Sequence, residues 1–327
     1  DIKLTIIKKP NDHPVFPDKN KIGVLLVNLG TPDGTDYWSM RRYLKQFLMD
    51  KRVVDLFRPL WWLILNGPIL TFRPSKSGKA YKKIWDENNH GSPLRGFTVK
   101  QTNKIQNFFK NNSNIFVDYA MRYGNPGIDK ILNKMTKNGC SKILLVPLYP
   151  QYAASTTATV KDEVFKWLLK QRWQPDIRTV APWFDNKNYI KALAFTISKF
   201  LKNRGKIDKL VVSFHGIPKR YFMAGDPYHC HCIKTARLLK EELKWPENKF
   251  LVTFQSRFGP EPWLQPYTDK TIIELAKQGS QNIAVIAPGF ISDCLETLEE
   301  LNVEARELFF ENGGKTFQYI PCLNDNE

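Results

Sequence analysis

Leu-Val-Val-Ser-Phe-His-Gly-Ile-Pro-Lys-Arg, residues 210–220, is the stretch that decides the fold. Its first five residues are mostly β-branched or aromatic, and Gly216 and Pro218 follow, which predicts a buried strand that ends in a sharp turn. His215 lies where this strand ends. Ligands of open α/β sheets bind beyond the carboxyl ends of the strands, so His215 is a candidate functional residue. The alternative is a turn histidine bonded only to nearby backbone.

Further strands alternate with helices on both sides of this stretch. Apolar runs end near Leu29, Tyr149 and Phe290, and segments with helical spacing separate them. This alternation is typical of parallel sheets with crossover helices. We therefore predict an α/β fold of two similar doubly wound domains, each a parallel sheet flanked by helices, with a cleft between them. We expect an N-terminal arm over residues 1–20, followed by two α/β domains over 21–158 and 159–310. Residues 311–327 would form a C-terminal tail, and one option is that this tail packs on the first domain.

An apolar lip over residues 37–76 belongs to the first of these domains. Its most hydrophobic part, residues 53–72, is interrupted by Asp55, Arg58 and two prolines, so it lacks the roughly 20 apolar residues of a bilayer span. Trp61 and Trp62 suit the edge of a cleft or a membrane interface, where aromatic rings lie at headgroup level. A buried helix is the alternative.

The charge balance and the cysteines limit the classes of partner. Lys and Arg number 49 against 32 Asp and Glu, a net charge of +17, which suits nucleic acid, acidic lipid or an anionic substrate. The basic residues are spread along the whole chain without a recognised nucleic-acid module, so no nucleic-acid partner is predicted. Five cysteines without framework spacing indicate a reducing compartment, and the N-terminal residues lack the pattern of a secretory signal. A cytoplasmic location is expected.

A group of carboxylates follows the last strong strand. Asp293 and Glu296 fit a capping box, in which both side chains satisfy free backbone N–H groups. Glu296 and Glu300 lie one helical turn apart and share a face. If that face borders the cleft, the two carboxylates can accept protons and coordinate a hard cation opposite His215.

The sequence Cys230-His231-Cys232 raises the question of a metal site. Structural zinc sites have two or more residues between paired cysteines and a second ligand pair downstream, and neither condition is met. A helix entrance with incidental thiols is the preferred interpretation. The role of Cys230 and Cys232 stays open.

Five motifs run through the chain in a fixed order. They are PLYPQY at 147–152, STT at 155–157, SFHGIP at 213–218, QSRFGP at 255–260 with WL at 263–264, and DCLE at 293–296. Together they resemble the motifs of ferrochelatases of the bacterial type. The similarity runs from about Lys21 to Cys322. One motif can match by chance, but five in order are specific.

The resemblance implies a lyase that inserts ferrous iron into protoporphyrin IX and releases two protons, the terminal step of haem biosynthesis. His215 and Glu296 would be the catalytic and metal-binding pair, facing each other across the porphyrin plane. Asp293 and Glu300 would continue an acidic path. The residues at family positions that meet the porphyrin are Leu29, Arg73, Lys76, Ser92, Arg122, Tyr123, Tyr152, Ser256, Trp263 and Phe290.

The resemblance also sets expectations about cofactors and partners. No cofactor is required, since Fe²⁺ is the substrate, and no iron–sulfur cluster is expected, because only Cys322 lies near the C-terminus. Cys294 stands where some relatives have His, which removes one imidazole ligand. The positive charge together with Trp61 and Trp62 favours peripheral binding to the inner face of the cell membrane. A monomer or a weak homodimer is expected.

Three alternatives stay open at this point: a ferrochelatase specific for coproporphyrin, a tetrapyrrole-binding protein without turnover, and a basic nucleic-acid binder. Protoporphyrin lacks two of the propionates of coproporphyrin, so the apolar lip favours protoporphyrin. A carrier without turnover would keep Arg73 and Trp263 but would not need His215 opposite Glu296.

Overall fold

Two parallel sheets of four strands organise the chain, and the computed structural model describes residues 21–326. The N-terminal arm expected over residues 1–20 lies outside the described residues. The strands are β1 (Lys21–Thr31), β2 (Ile115–Gly124), β3 (Cys140–Pro147), β4 (Asp176–Thr179), β5 (Lys209–His215), β6 (Phe250–Gln255), β7 (Asn282–Ile286) and β8 (Thr316–Tyr319).

Helices connect these strands and are of three kinds. The α-helices are α1 (Tyr37–Leu48), α2 (Arg58–Ile64), α3 (Leu70–Ile84), α4 (Pro93–Phe108), α5 (Ile128–Lys137), α6 (Thr159–Leu168), α7 (Lys187–Leu201), α8 (Lys219–Met223), α9 (Tyr228–Leu243), α10 (Thr268–Lys277) and α11 (Arg306–Glu311). The π-helical segments are Leu65–Ile69, Ala154–Ala158 and Glu296–Ala305. Short 3₁₀ turns occupy Glu87–Asn89 and Glu247–Lys249.

The two sheets have the same strand order. The first is β2-β1-β3-β4 and the second is β6-β5-β7-β8, and every neighbouring pair is parallel. In β1, Leu25, Leu26 and Val27 are at most 1% exposed, so both faces of the strand are covered, as parallel sheets require. In the second sheet, His215 at the end of β5 pairs in register with Gln255 at the end of β6. The predicted fold of two doubly wound α/β domains is confirmed.

Amphipathic helices cover the faces of the sheets. In α5, the residues Ile128, Ile131, Leu132 and Met135 recur at helical spacing, and all four are buried in the core of the first domain. Burial of each such side chain contributes about 1.5–3 kcal/mol relative to exposure. In the second domain, α7 and α9 pack on each other and on the buried face of β5.

The domain boundaries differ from those expected. β4 pairs with β3, and α6 packs in the core of the first domain, so this domain continues past residue 158 to about residue 180. Residues 311–327 are more than a tail, because β8 is the edge strand of the second sheet. Beyond β8 the chain does reach the first domain, where Gln101 Nε2 donates to the Asn324 carbonyl at 2.6 Å.

Helices α1, α2 and α3 form the apolar lip, and its two adjacent tryptophans have different roles. Trp61 is buried, and its Nε1–H donates to the Leu48 carbonyl at 2.8 Å, whereas Trp62 is 51% exposed. The interpretation as a buried helix therefore applies to Trp61, and the interpretation as an exposed edge applies to Trp62. The other exposed large apolar side chains of the lip are Trp38, Leu56, Phe57, Leu60, Leu63, Ile64 and Phe72. Within residues 21–326, none of the helices combines the length and the apolar character that a membrane crossing requires.

The helix that carries Glu296 and Glu300 has two parts. It starts at Glu296 as a π-helix of ten residues and continues as α11. Most π-helices are single turns inside α-helices and are frequent at functional sites, so one of this length is unusual. It contacts α3 of the lip, and so joins the second domain to the first.

Candidate active site

His215 is held in one tautomer at the end of β5. Its Nδ1 lies 2.6 Å from the Gly216 carbonyl oxygen. A carbonyl oxygen can only accept, so Nδ1 carries the proton and Nε2 carries the lone pair. The bond to turn backbone and a functional role are therefore compatible, because the backbone contact orients the ring and leaves Nε2 as a base or metal ligand.

Two aromatic rings flank His215. The ring centroids of Trp263 and Phe290 lie 6.5 Å and 6.4 Å from that of the imidazole, and both side chains are half-buried. Gly216 permits this arrangement, because a Cβ at its position would lie 3.0 Å from the Gln255 carbonyl oxygen and 3.2 Å from the Trp263 indole. The structure thus places two of the predicted wall residues beside the candidate base.

Gln255 links the His215 strand to the Glu296 helix. Its Oε1 accepts a hydrogen bond from Ser213 Oγ at 2.8 Å, which orients the amide so that Nε2 donates to the Glu296 carbonyl at 2.9 Å. Because Gln255 pairs in register with His215, the start of the π-helix is tied to the neighbouring strand end. The structure brings His215 and Glu296 to the same end of the second sheet.

Glu296 also approaches the lip of the first domain. Leu295, the preceding residue, packs against the lip core around Met40 and Tyr43. Burial raises the pKa of the Tyr81 hydroxyl, and the negative charge of Glu296 adds to the shift. The carboxylate therefore lies where the two domains meet, as a residue of the cleft must.

The Glu300 carboxyl has a pKa raised to about 8. Burial is the main cause, and the charge of Glu296 one turn earlier adds to it. The Ser256 hydroxyl donates to this carboxyl and opposes the shift. A carboxyl with this pKa holds its proton at pH 7 and exchanges it close to neutral pH, which is the property of a proton relay.

Glu304 extends the same row of carboxylates. It follows Glu300 by the same four-residue step that separates Glu300 from Glu296, and it is exposed. A cavity of about 330 Å³ lies beside Glu300 and Glu304, bounded by the end of β6 and the start of α10. The π-helix therefore carries a row of carboxylates from the domain contact to solvent. Sequence reasoning stopped at Glu300, although the repeated step of four was the signal for the third member.

Basic side chains lie where α3 meets the second domain. The Arg73 guanidinium is 5.2 Å from the ring centroid of Phe258, which follows β6. Burial lowers the pKa of Arg73, and the charge of Glu300 opposes the shift. Lys76, one turn further along α3, is exposed. Ser256 has a φ of 65°, a left-handed conformation uncommon outside glycine, which marks a sharp turn after β6.

Leu29 and Tyr152 lie at strand ends of the first sheet. Leu29 is near the end of β1 and packs partly against the lip core. Tyr152 follows β3 and is half-buried. Burial raises the pKa of the Tyr152 hydroxyl, and the nearby positive charge of Arg52 opposes the shift. Both predicted wall residues thus lie at the carboxyl ends of strands of the first sheet.

Arg122 and Tyr123 lie in a buried polar cluster, which corrects their predicted place at the porphyrin. Tyr123 is 0% exposed, and its hydroxyl donates to Asp50 Oδ2 at 2.9 Å. Arg122 is also buried, pairs with the same carboxylate, and donates from Nε to Thr159 Oγ1 at 2.7 Å. The two side chains join β2 to the ends of α1 and α6, and they are not accessible to a ligand.

Ser92 and Asp293 both have structural partners, and their roles at the site stay predictions. Ser92 is 1% exposed and is the N-cap of α4. The buried Asp293 carboxylate accepts hydrogen bonds from the side chains of Thr297, Tyr319 and Asn324. It therefore ties the start of the π-helix to β8 and the segment after it.

The described residues contain no ready-made metal centre. Within residues 21–326, no group of three or more His, Cys, Asp or Glu side chains is arranged to hold a metal ion. All five cysteines are free thiols, and Cys230 is exposed while the others are buried. Cys230 and Cys232 are on α9, so the interpretation of this motif as a helix entrance agrees with the structure.

Comparison with known proteins identifies the family. The sequence model of ferrochelatase matches residues 21–327. A ferrochelatase of Allorhizobium ampelinum is 58% identical over 318 residues, covering 97% of this chain and 92% of its own length. Ferrochelatase of Agrobacterium fabrum is 56% identical with the same coverage. The chain belongs to the ferrochelatase family. The expectation of a metal-chelatase lyase of haem biosynthesis is confirmed.

Solved structures support the fold of this ferrochelatase family member. SirB from Bacillus subtilis with Fe³⁺ aligns with a TM-score of 0.50 and 16% identity, covering 92% of this chain and 89% of its own. DR2241 from Deinococcus radiodurans, a multi-domain protein with structural similarity to chelatases, aligns with a TM-score of 0.51 and 9% identity over 94% of this chain and 52% of its own. At these identities the likeness concerns the two-domain fold alone.

Proposed function

We propose that the chain inserts ferrous iron into protoporphyrin IX in the cleft between its domains. The observation that carries the proposal is the 2.6 Å contact between His215 Nδ1 and the Gly216 carbonyl oxygen, from which we infer the tautomer with the proton on Nδ1. The Nε2 lone pair is thereby offered beside Trp263 and Phe290, rings of the size that stack on a macrocycle. A neutral base next to an aromatic wall is what metallation of a porphyrin requires.

Two pyrrole protons leave when Fe²⁺ binds the four ring nitrogens. His215 accepts a proton at Nε2, and the resulting imidazolium keeps its Nδ1–H bond to Gly216. Glu296 binds the incoming iron or takes the second proton. Glu300, with a pKa of about 8, holds a proton, passes it towards Glu304 and solvent, and takes up one from the site in its place. The products are haem and two protons, so neither an oxidant nor a reductant is needed.

The walls and the basic residues position the macrocycle. Trp263, Phe290, Tyr152 and Leu29 offer apolar surface to a flat ring and can hold it bent, which lowers the barrier to metallation because the ring nitrogens then point out of the plane. Arg73, Lys76 and Ser256 lie at one side, where the two basic side chains supply donors for carboxylate arms and the Ser256 hydroxyl is bonded to Glu300. Arginine binds carboxylates in a bidentate manner, which would orient the ring as well as hold it.

Protoporphyrin is the proposed substrate because the lip exposes many apolar side chains. The decisive experiment follows loss of free-porphyrin fluorescence with Fe²⁺ under anaerobic conditions, using protoporphyrin and coproporphyrin in parallel. We expect faster turnover of protoporphyrin, and a loss of about 10²–10⁴-fold in His215→Ala, the range for removal of a general base. Faster turnover of coproporphyrin would reject the substrate assignment. If the wild type binds porphyrin without metallating it, the enzyme proposal is rejected and a porphyrin-binding protein without turnover remains.

We further propose that the protein is cytoplasmic and attaches peripherally to the inner face of the membrane. Trp62, Leu63 and Phe72 are 51%, 62% and 74% exposed, and Lys76 lies on the same helix as Phe72. Apolar side chains next to basic ones suit an anionic bilayer. The test is co-sedimentation with vesicles that contain anionic lipid. Trp62→Ser should weaken binding, whereas Phe108→Ser, which removes an exposed ring from α4, should not.

The remaining proposals concern composition and assembly. We propose that the active protein carries no iron–sulfur cluster and needs no other cofactor, as a monomer or a weak homodimer. Purified enzyme should then lack acid-labile sulfide, and its sedimentation coefficient should be that of a 38.0 kDa chain at low concentration. Sulfide in stoichiometric amount, or a stable larger species, would reject these two statements respectively.

A further inference from the structure

The turn after β3 is held by the second domain. This turn belongs to the first domain and carries Tyr152. The backbone N–H of Tyr152 donates to His231 Nδ1 at 3.1 Å, and the N–H of Ala154 donates to Asp226 Oδ2 at 2.7 Å. His231 is in the first turn of α9, and Asp226 lies two residues before that helix begins. Two backbone donors of one turn are therefore satisfied by side chains of the other domain.

A third contact lies one turn further along α9. Thr235 Oγ1 accepts from Gln151 Nε2 at 3.0 Å and donates to the Phe184 carbonyl at 2.7 Å. Gln151 is 2% exposed, so it cannot exchange this partner for water without moving. Since residues four apart share a helix face, His231 and Thr235 contact successive residues of the turn from one side of α9.

The imidazole of His231 has a fixed orientation. It stacks on the Phe184 ring with a centroid distance of 3.7 Å and an interplanar angle of 11°. Because Nδ1 accepts from a backbone N–H, the proton of the neutral ring is on Nε2. An imidazolium has N–H groups at both positions and no lone pair, so protonation would replace this hydrogen bond by two opposed donors.

We propose that His231 is a positioning residue of the porphyrin site: in its neutral form it holds the backbone of Tyr152, and thereby sets the Tyr152 ring as a wall of the cleft. The inference rests on the proposed function, since it assumes that Tyr152 contacts the porphyrin. It adds a role for the Cys230-His231-Cys232 motif that requires neither thiol. His231 itself touches neither substrate nor iron.

The pKa of His231 decides at which pH its hydrogen bond to the Tyr152 backbone is present. Burial lowers the pKa of His231 from its ordinary 6.5, and this effect outweighs the carboxylates of Asp185 and Asp226, which act in the opposite direction. Lys234, on the same helix, adds to the lowering. The ring is therefore neutral at pH 7 and above. Acidification below the lowered pKa removes the acceptor, so porphyrin affinity should fall on the acid side.

Three variants test the role of His231. His231→Phe keeps a ring to stack on Phe184 but has no acceptor. His231→Asn places an amide oxygen near the position of Nδ1 and cannot be protonated. Tyr152→Ala removes the wall itself. Dissociation constants for protoporphyrin IX in detergent micelles are measured by quenching of protein fluorescence without iron, at pH 5.5 to 8, together with kcat, KM and melting temperature.

The expected result is a change in binding and not in chemistry. At pH 8 His231→Phe should raise the dissociation constant about three- to tenfold, the range for one neutral hydrogen bond, with kcat little changed. His231→Asn should bind as the wild type does at pH 8 and should lack the acid-side loss of affinity of the wild type. Tyr152→Ala should weaken binding at every pH.

Several results would overturn the inference. Wild-type affinity in His231→Phe or in Tyr152→Ala would do so, and so would a loss in His231→Asn as large as in His231→Phe. If the Phe variant does not fold, parallel pH profiles for the wild type and His231→Asn would overturn it by themselves. Failure of the proposed function is distinct: a wild type that binds porphyrin without metallating it would reject the enzyme and leave this test of binding intact, whereas a wild type that does not bind porphyrin would overturn both.

Discussion

Replacing Glu300 by Gln should change how stability depends on pH. In the folded protein the Glu300 carboxyl has a pKa of about 8, against an ordinary value of 4.5, chiefly because it is buried and next because it faces Glu296. Between these two values the folded protein holds a proton that the unfolded chain releases. The stability contributed by this proton is complete below pH 4.5 and is lost as the pH rises through 8.

The size of the effect follows from linkage. Where the folded state holds one proton more than the unfolded chain, the free energy of unfolding falls by about 1.4 kcal/mol for each unit that the pH rises. Gln keeps the neutral form at every pH, so the difference between Glu300→Gln and the wild type should grow by that amount per unit from pH 5.5 to 7.5. For a chain of 327 residues this corresponds to about 2 °C in melting temperature per pH unit.

The assay compares apparent melting temperatures at pH 5.5, 6.5 and 7.5. The variant should gain about 4 °C on the wild type across this range. Glu307→Gln removes one formal charge from an exposed position on α11 and controls for net charge. A difference between Glu300→Gln and the wild type that stays constant with pH would refute the reasoning, because it would mean that Glu300 is already ionised at pH 5.5.

Three further predictions concern buried groups. Asp293→Asn should lower stability by about 2–3 kcal/mol through lost acceptors, seen as an earlier thermal transition, while the folded fraction keeps metallating; loss of turnover with normal melting would contradict this. Gly30→Ala should destabilise far more than Gly279→Ala, since a Cβ at residue 30 would lie 1.7 Å from the Tyr123 carbonyl oxygen whereas residue 279 has open space; equal melting temperatures would refute it. A thiol reagent should modify one cysteine rapidly in the native enzyme, Cys230, and rapid modification of a second would contradict the burial of the others.

Local pattern was sufficient for most of the architecture. The β-branched run before His215 and the turn after it predicted β5 and its end correctly, and similar runs predicted β1 and β3. The interruptions by Asp55 and Arg58 correctly argued against a membrane-spanning helix in the lip. These features depend on neighbours a few residues apart, so the sequence contains the information directly.

The short edge strands were missed for a physical reason. β4 and β8 have only four residues each, and they pair on one side only, so their sequences need no continuous apolar run. Without them, the alternation of longer strands and helices placed the domain boundary near residue 158 and left residues 311–327 as a tail. The strand order, which only long-range pairing decides, places β4 in the first domain and β8 in the second sheet, so the domain boundary and the extent of the tail both change.

The sequence by itself determined the family, the two-domain α/β fold and the pair of His215 and Glu296 at one end of the second sheet. Only the tertiary structure decided which polar residues are accessible. Asp50 bonds to the buried side chains of Arg122 and Tyr123 from more than 70 positions away, and Tyr319 and Asn324 bond to the buried Asp293 carboxylate from 26 and 31 positions away. A polar side chain is buried or presented according to the partner it meets in the fold, and no local pattern specifies a partner so distant along the chain.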